Sequence, residues 1–271
     1  MKRNTPLAEF KIPIVDWPGN AGGYNNAPFE RGDPRDLEPL VRVSDYRIAS
    51  ESFYARTDGK NWPYNSVIRG SLPDVWARRG VAEKLAHVNR RLAPHGVELF
   101  AWDGYRAIDA QRALWEFFEL QAARDMPSAS AEARREQVLR YVSDPTRLDR
   151  SDPATWPTHT TGAALDLTLR SLESLELLDM GAAFDEMSAI SHSDALERLY
   201  ATSQIENTSA QLNHRRLLHW AMGAEGFVNF PLEYWHFDWG NQMYVHNLTV
   251  LKMEAPEGAW YGYVDPPTQA S

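Results

Sequence analysis

The run Thr158-His159-Thr160-Thr161-Gly162-Ala163-Ala164-Leu165-Asp166-Leu167-Thr168-Leu169 decides how this 271-residue chain is read. From Ala163 onward its apolar and small or polar side chains alternate. Leu165, Leu167 and Leu169 share one face of a strand, and Ala164, Asp166 and Thr168 share the other. Asp166 is therefore expected on the non-core side. His159 lies seven positions earlier, an odd separation that puts the two residues on opposite faces of any continuous strand. They converge only if His159 sits in a bent segment ahead of the strand. Gly162 supplies that bend, because glycine tolerates backbone angles that other residues avoid.

A second stretch, Glu233-Tyr234-Trp235-His236, carries a carboxylate three residues before another imidazole. Pro231 just upstream favours a turn, which places Glu233 at a loop-to-strand junction. A hydrolytic zinc site needs three protein ligands, an open position for water and a base. His159, Asp166 and His236 supply the ligands, and Glu233 serves better as the base. From spacing alone, unconnected polar surface residues remain an equal alternative, since His-x6-Asp is not rare.

Composition narrows the setting. The net charge of -9 disfavours nucleic acid, whose phosphates need a cationic face. Nothing approaches the ~18 apolar residues of a membrane span. Met1-Lys2-Arg3-Asn4-Thr5-Pro6 is not followed by an apolar signal core, so a cytoplasmic location is expected. There is no cysteine, which excludes disulfides, thiol nucleophiles and thiolate metal sites. Any zinc must be held by His, Asp or Glu.

Residues 1–50 are rich in proline and glycine: Pro6, Pro13, Pro18, Pro28, Pro34 and Pro39, with Gly19, Gly22, Gly23 and Gly32. They read as an extended arm packed on a single domain spanning 51–271, held by Phe10, Ile12, Trp17 and Phe29. Helical spacing predicts helices over 74–95, 109–124, 130–142 and 209–226. Leu120 is expected to face the core on the second of these. Strands are expected at 97–102, 163–169, 227–230 and 234–239. Without regular βαβ repetition this pattern predicts an α+β fold, an antiparallel sheet flanked by helices.

Several motifs in order give the chain a family resemblance. Trp102-Asp103-Gly104-Tyr105-Arg106, His159-x6-Asp166 with Leu167-Thr168-Leu169, and Glu233-x-Trp235-His236 resemble the zinc D-alanyl-D-alanine dipeptidases of vancomycin resistance. Those enzymes share a superfamily with D,D-carboxypeptidases and the hedgehog domain, so a hedgehog/DD-peptidase-like fold is implied. Met180-Gly181-Ala182-Ala183-Phe184-Asp185, Ser191-His192, Asn213-x-Arg215-Arg216 and Gly226-Phe227 match in the same order. The resemblance implies one zinc per chain on His159, Asp166 and His236, with Glu233 as general base. It makes Arg106 the partner of the carbonyl oxygen as it becomes an oxyanion. Asp185 would hold the substrate's free ammonium, and Tyr105 and Thr158 fall where substrate contacts are expected. Read from the residues alone, Arg106 could also be a buried structural arginine, Asp185 a turn residue, and His192 an ordinary loop histidine.

Three departures stand out. Ala107 replaces the family's proline, and Pro157-Thr158 replaces Ser-Ser. The first 50 or so residues have no counterpart, leaving them to cover the cleft or to join copies of the chain. The expected substrate is D-Ala-D-Ala or a close dipeptide, in resistance, wall recycling or biosynthesis. The rivals are a carboxypeptidase trimming peptidoglycan stem peptides and an idle zinc-binding recognition module.

Overall fold

The computed structural model describes residues 7–17 and 23–267. Residues 1–6, and Pro18, Gly19 and Gly22 of the arm, lie outside the described residues. Along the chain run β1 (Leu40–Arg42), β2 (Ala49–Ser50), β3 (Trp76–Arg78), α1 (Arg79–Leu92), β4 (Val97–Asp103), α2 (Ile108–Asp125) and α3 (Ala131–Val138). Then follow β5 (Ala164–Ser171), α4 (Ala195–Ala201), α5 (Ala210–Gly223), β6 (Val228–Asn229), β7 (His236–Asp238) and α6 (Gln242–Val250).

The main sheet has the order β2-β4-β5-β7-β6. Its β4–β5, β5–β7 and β6–β7 pairings are antiparallel, while the edge strand β2 runs parallel to β4. The class is α+β, as the sequence predicts, with one parallel edge added. β1 and β3 form a separate antiparallel pair.

Strand alternation divides the interior in two. Leu99 and Ala101 of β4 join Leu165, Leu167 and Leu169 of β5 in a core closed by α1 and α5. Phe100 and Trp102 point the other way, onto Leu114, Trp115 and Phe118 of α2 and Val138 of α3. Each fully buried leucine in such a layer costs about 2–5 kcal/mol to truncate to alanine. The second layer buries the opposite face of β5 as well, so Ala164, Asp166 and Thr168 are all covered.

α1 presents Val81, Leu85, Val88 and Leu92 to the core at 0 % exposure, the spacing of one helical face. It is followed by a short turn over Ala93–His95 that ends at Gly96, whose φ is 74°. Its start differs from the expected Asp74, because Trp76–Arg78 is claimed by pairing with β1, 36 residues upstream at Leu40↔Arg78 through Arg42↔Trp76. Leu120 is a second correction: it is 61 % exposed, on the outer side of α2.

The first 50 residues are more regular than an extended arm, since β1 and β2 already belong to sheets. Ahead of them, Ile12 is buried and its amide donates to Glu197 Oε1 at 2.9 Å. Glu197 also receives two bonds from Arg216, at 2.6 and 2.8 Å, in a fully buried pair. Tyr24 is buried against Phe230 and Met243. Phe29 bridges to Ala259, tying this segment to the C-terminal region. Among the described residues no helix is long and apolar enough to cross a membrane.

Candidate active site

Three neighbouring strands deliver the acidic and basic groups to one row. Asp103 of β4 lies opposite Asp166 of β5, and Asp166 lies opposite His236 of β7. An irregularity between Ala101 and Asp103 shifts the β4 register and brings Asp103 into this row. His159 comes from the turn Thr158–Thr161, which ends at Gly162 with φ 69°. A Cβ there would meet Leu40 Cδ2 at 2.5 Å, so both conformation and space call for glycine. The bend expected from the sequence is present at this position.

The donor atoms of His159, Asp166 and His236 all lie within 4.8 Å of one another, and all three residues are buried. His159 Nε2 is 3.6 Å from Asp166 Oδ2, and His236 Nδ1 is 3.1 Å from Asp166 Oδ1. Two ligands bound ~2.1 Å from one tetrahedral ion stand roughly 3.4 Å apart, so the spacing fits a shared cation. The opposite edge of each imidazole is also engaged. His159 Nδ1 donates to the Gly104 carbonyl at 2.8 Å, leaving the Nε2 lone pair free. His236 Nε2 donates to Asp238 Oδ2 at 2.9 Å, leaving Nδ1 on the side of Asp166. Such outer hydrogen bonds set the tautomer and aim the ring. Asp238 is itself held: Thr158 Oγ1 donates to its Oδ1 at 3.1 Å and Asn241 Nδ2 at 2.6 Å.

Electrostatics separate the two imidazoles. Burial and the Arg106 cation lower His159 to about 3, so its imidazole is neutral at any working pH. Burial pulls His236 down too, but the Asp238 and Asp166 carboxylates more than reverse this and hold it well above its ordinary value.

Glu233 Oε2 approaches His236 Nδ1 at 3.7 Å. Its backbone amide donates to the Phe230 carbonyl, closing the turn around Pro231. Burial raises its carboxyl to about 8, helped by Asp166 and Asp185 and opposed by His236.

Arg106 is buried beside the row. It reaches Asp103 Oδ2 at 2.7 Å and Asp166 Oδ2 at 3.6 Å. Burial alone would lower its pKa; Tyr54, Asp103 and Asp166 raise it above the ordinary value, so it stays charged. Asp185 is 4 % exposed and sits at φ 63°, in the left-handed region that non-glycine residues rarely occupy. Tyr64 donates to its Oδ2 at 2.7 Å, and the Tyr54 hydroxyl lies 3.4 Å away. Burial raises Asp185 to about 6. Arg215 clamps the loop that carries it, donating to the carbonyls of Met180, His192 and Ile190 at 2.6–2.8 Å.

His159, Asp166, His236, Glu233, Arg106, Asp185 and Thr158 line one cavity of about 60 Å3. Thr158 borders it with a hydroxyl already committed to Asp238 and Asn241. Tyr105 is not part of this wall. Its amide donates to the Trp76 carbonyl, and it lines a separate small cavity with Ser52 and Ser71. Sequence reasoning missed Asp238, Tyr24, Tyr54, Tyr64 and Gln111. Asp238 had a local signal, because residues two apart on a strand share a face with His236. The others come from loops and α2 and carry no such mark.

His159, Asp166 and His236 form a buried cluster that could hold a metal ion, with the Glu233 carboxylate beside it. The chain belongs to the M15 peptidase family described as D-ala-D-ala dipeptidase, whose family model matches residues 73–253. It is 31% identical over 218 residues to the D-alanyl-D-alanine dipeptidase of Synechocystis sp., covering 76% of this chain and 87% of that protein. The Streptomyces coelicolor D-alanyl-D-alanine dipeptidase is 31% identical over 67% of this chain and 84% of its own. The Escherichia coli protein of that name is 36% identical over 53% of this chain and 55% of its own. Among solved structures, VanYB in complex with D-alanine-D-alanine aligns at 12% identity and a TM-score of 0.32, covering 66% of this chain and 80% of that one.

Proposed function

We propose that the chain is a zinc-dependent dipeptidase that hydrolyses D-Ala-D-Ala or a closely related dipeptide. The observation that carries this is Glu233, 3.7 Å from the Nδ1 of His236, beside three donors clustered within 4.8 Å. Two imidazoles and one carboxylate suit zinc, and also ferrous iron; a base beside the cluster, in a peptidase family, favours zinc and hydrolysis. His159 through Nε2, Asp166, and His236 through Nδ1 would hold the ion. Bound there, zinc supplies a Lewis acid for the peptide carbonyl and acidifies a water.

The remaining chemistry falls to side chains. Glu233 takes the proton of the attacking water and delivers it to the leaving amine. Arg106 donates to the carbonyl oxygen as negative charge grows on it, an interaction strongest in the transition state. Asp185, at one end of the cavity, receives the ammonium of the substrate, and Tyr64 and Tyr54 aim its carboxylate. Asp103 holds Arg106 in place.

The test is a panel of D,D-, L,D- and L,L-dipeptides and an N-acylated D-Ala-D-Ala tripeptide, assayed with metal-stripped and zinc-reconstituted protein. Cleavage of D-Ala-D-Ala that disappears on stripping and returns with one zinc per chain is expected. Preference for the acylated tripeptide would favour a carboxypeptidase instead. A zinc-loaded protein that cleaves none of them refutes the enzyme reading.

A further inference from the structure

Two charged groups of the cavity wall are joined by one hydroxyl. The Tyr54 oxygen accepts from Arg106 Nη2 at 3.3 Å and donates to Asp185 Oδ2 at 3.4 Å. A guanidinium has donors only, so the single phenol proton faces the carboxylate and a lone pair faces the arginine. Burial and the Asp185 carboxylate raise the phenol well above its ordinary value, which keeps that proton on the oxygen. The guanidinium carbon of Arg106 also lies over the Tyr54 ring, 4.8 Å from its centroid.

Tyr54 is held on all sides. The Phe53 amide donates to the Trp102 carbonyl at 3.0 Å, and the Tyr54 carbonyl accepts from the Ile68 amide at 2.8 Å. The ring stands 5.6 Å from those of Phe53 and Tyr64, and the residue is 4 % exposed. The hydroxyl is therefore a fixed spacer between Arg106 and Asp185. Tyr64 offers a contrast: its hydroxyl donates to the same Asp185 oxygen at 2.7 Å and has no hydrogen bond to Arg106. No donor among the described residues reaches Asp185 Oδ1, which leaves that oxygen for an ammonium.

In an α-aminoacyl residue one carbon stands between the ammonium and the carbonyl. With the ammonium seated at Asp185, Arg106 meets the carbonyl oxygen only if the two protein groups keep a matching separation. We propose that Tyr54 is a positioning residue that ties the amine anchor Asp185 to Arg106, and that this tie sets the reach of the site to a single α-aminoacyl residue. A peptide whose ammonium stands one carbon further out carries its carbonyl away from Arg106 once its amine is seated. The inference rests on the dipeptidase reading above and adds a substrate class to it, peptides that begin with an α-amino acid.

The experiment compares D-Ala-D-Ala with its isomer β-alanyl-D-alanine on the zinc-loaded full chain, as wild type, Tyr54→Phe and Tyr64→Phe. The isomers have the same atoms, so spacing is tested and size is not. The wild type is expected to favour D-Ala-D-Ala by about 10- to 100-fold in kcat/KM, the cost of a misplaced carbonyl. Tyr54→Phe should lower kcat on D-Ala-D-Ala by about 3- to 10-fold, as for one hydrogen bond, and shrink the preference by the same factor. Tyr64→Phe, which touches only the amine anchor, should raise KM and leave kcat within about twofold. Phenylalanine keeps the ring contacts, and Asp103 still pairs with Arg106 and Tyr64 with Asp185. Neither charge is stranded in Tyr54→Phe, so folding is preserved, which a melting curve verifies. Three results overturn the tie while leaving the dipeptidase in place: equal cleavage of both isomers by the wild type, an unchanged kcat in Tyr54→Phe, or an equal fractional loss on both isomers. A zinc-loaded wild type inert toward both isomers sinks the dipeptidase reading and the tie together.

Discussion

Asp238→Asn tests the metal centre without touching a ligand. Asp238 is fully buried, 2.9 Å from His236 Nε2 on one oxygen and bonded to Thr158 and Asn241 through the other. Asparagine has the same shape, so no cavity forms and the change is electrostatic. A hydrogen bond to a charged group contributes about 1.5–3 kcal/mol and a neutral one about 0.5–1.5. The difference of roughly 1–1.5 kcal/mol corresponds to a factor of about 5–10. A second effect adds to it. Asn241 donates to Oδ1 at 2.6 Å and needs an oxygen there, so the new amide would turn its NH2 toward His236. That forces the proton of the imidazole onto Nδ1, the atom that must face the ion. Loss of such partners typically costs about 10–100-fold in metal affinity, and the forced tautomer puts this variant at the upper end. The assay is competition for zinc against a chromophoric chelator at fixed pH, with thermal melting of the metal-free protein as control. A folded variant binding zinc within about twofold of wild type would refute the role of Asp238 and the Nδ1 assignment with it.

Other substitutions separate the remaining roles. Glu233→Gln should retain one zinc by elemental analysis and lose about 10²–10⁴-fold in kcat; near-normal turnover would remove Glu233 as the base. Gly162→Ala imposes a side chain at φ 69° against Leu40 Cδ2 at 2.5 Å, and should cost roughly 1–3 kcal/mol by denaturant titration and reduce zinc retention through His159. Glu197→Ala strands the buried Arg216 guanidinium 2.6 Å from where its partner stood, for an expected loss of about 3–5 kcal/mol; a change below ~1 kcal/mol would mean that solvent reaches the pair. Arg106→Lys keeps the charge but loses the fork that spans Asp103, Gln111 and Tyr54, so kcat should fall more than KM changes.

Some of this architecture is written in short stretches of sequence, and some is not. The alternation Leu165-Asp166-Leu167-Thr168-Leu169 specifies a strand with one apolar face, and Gly162 specifies the bend that lets His159 join Asp166. Both follow from backbone geometry over a few residues, which is why they were legible. The Asp103–Asp166–His236 row needed the β4–β5–β7 register, and register depends on residues 60 or more positions apart. For the same reason Trp76–Arg78 became a strand in place of a helix start, and Tyr105 lines a separate cavity in place of the site that its motif suggested. The placement of Tyr24 and Arg140 in the wall of the site cavity is of this second kind. No local pattern marks either residue, and only long-range packing brings a tyrosine from the N-terminal segment to the wall of a cavity built around residues 159–236.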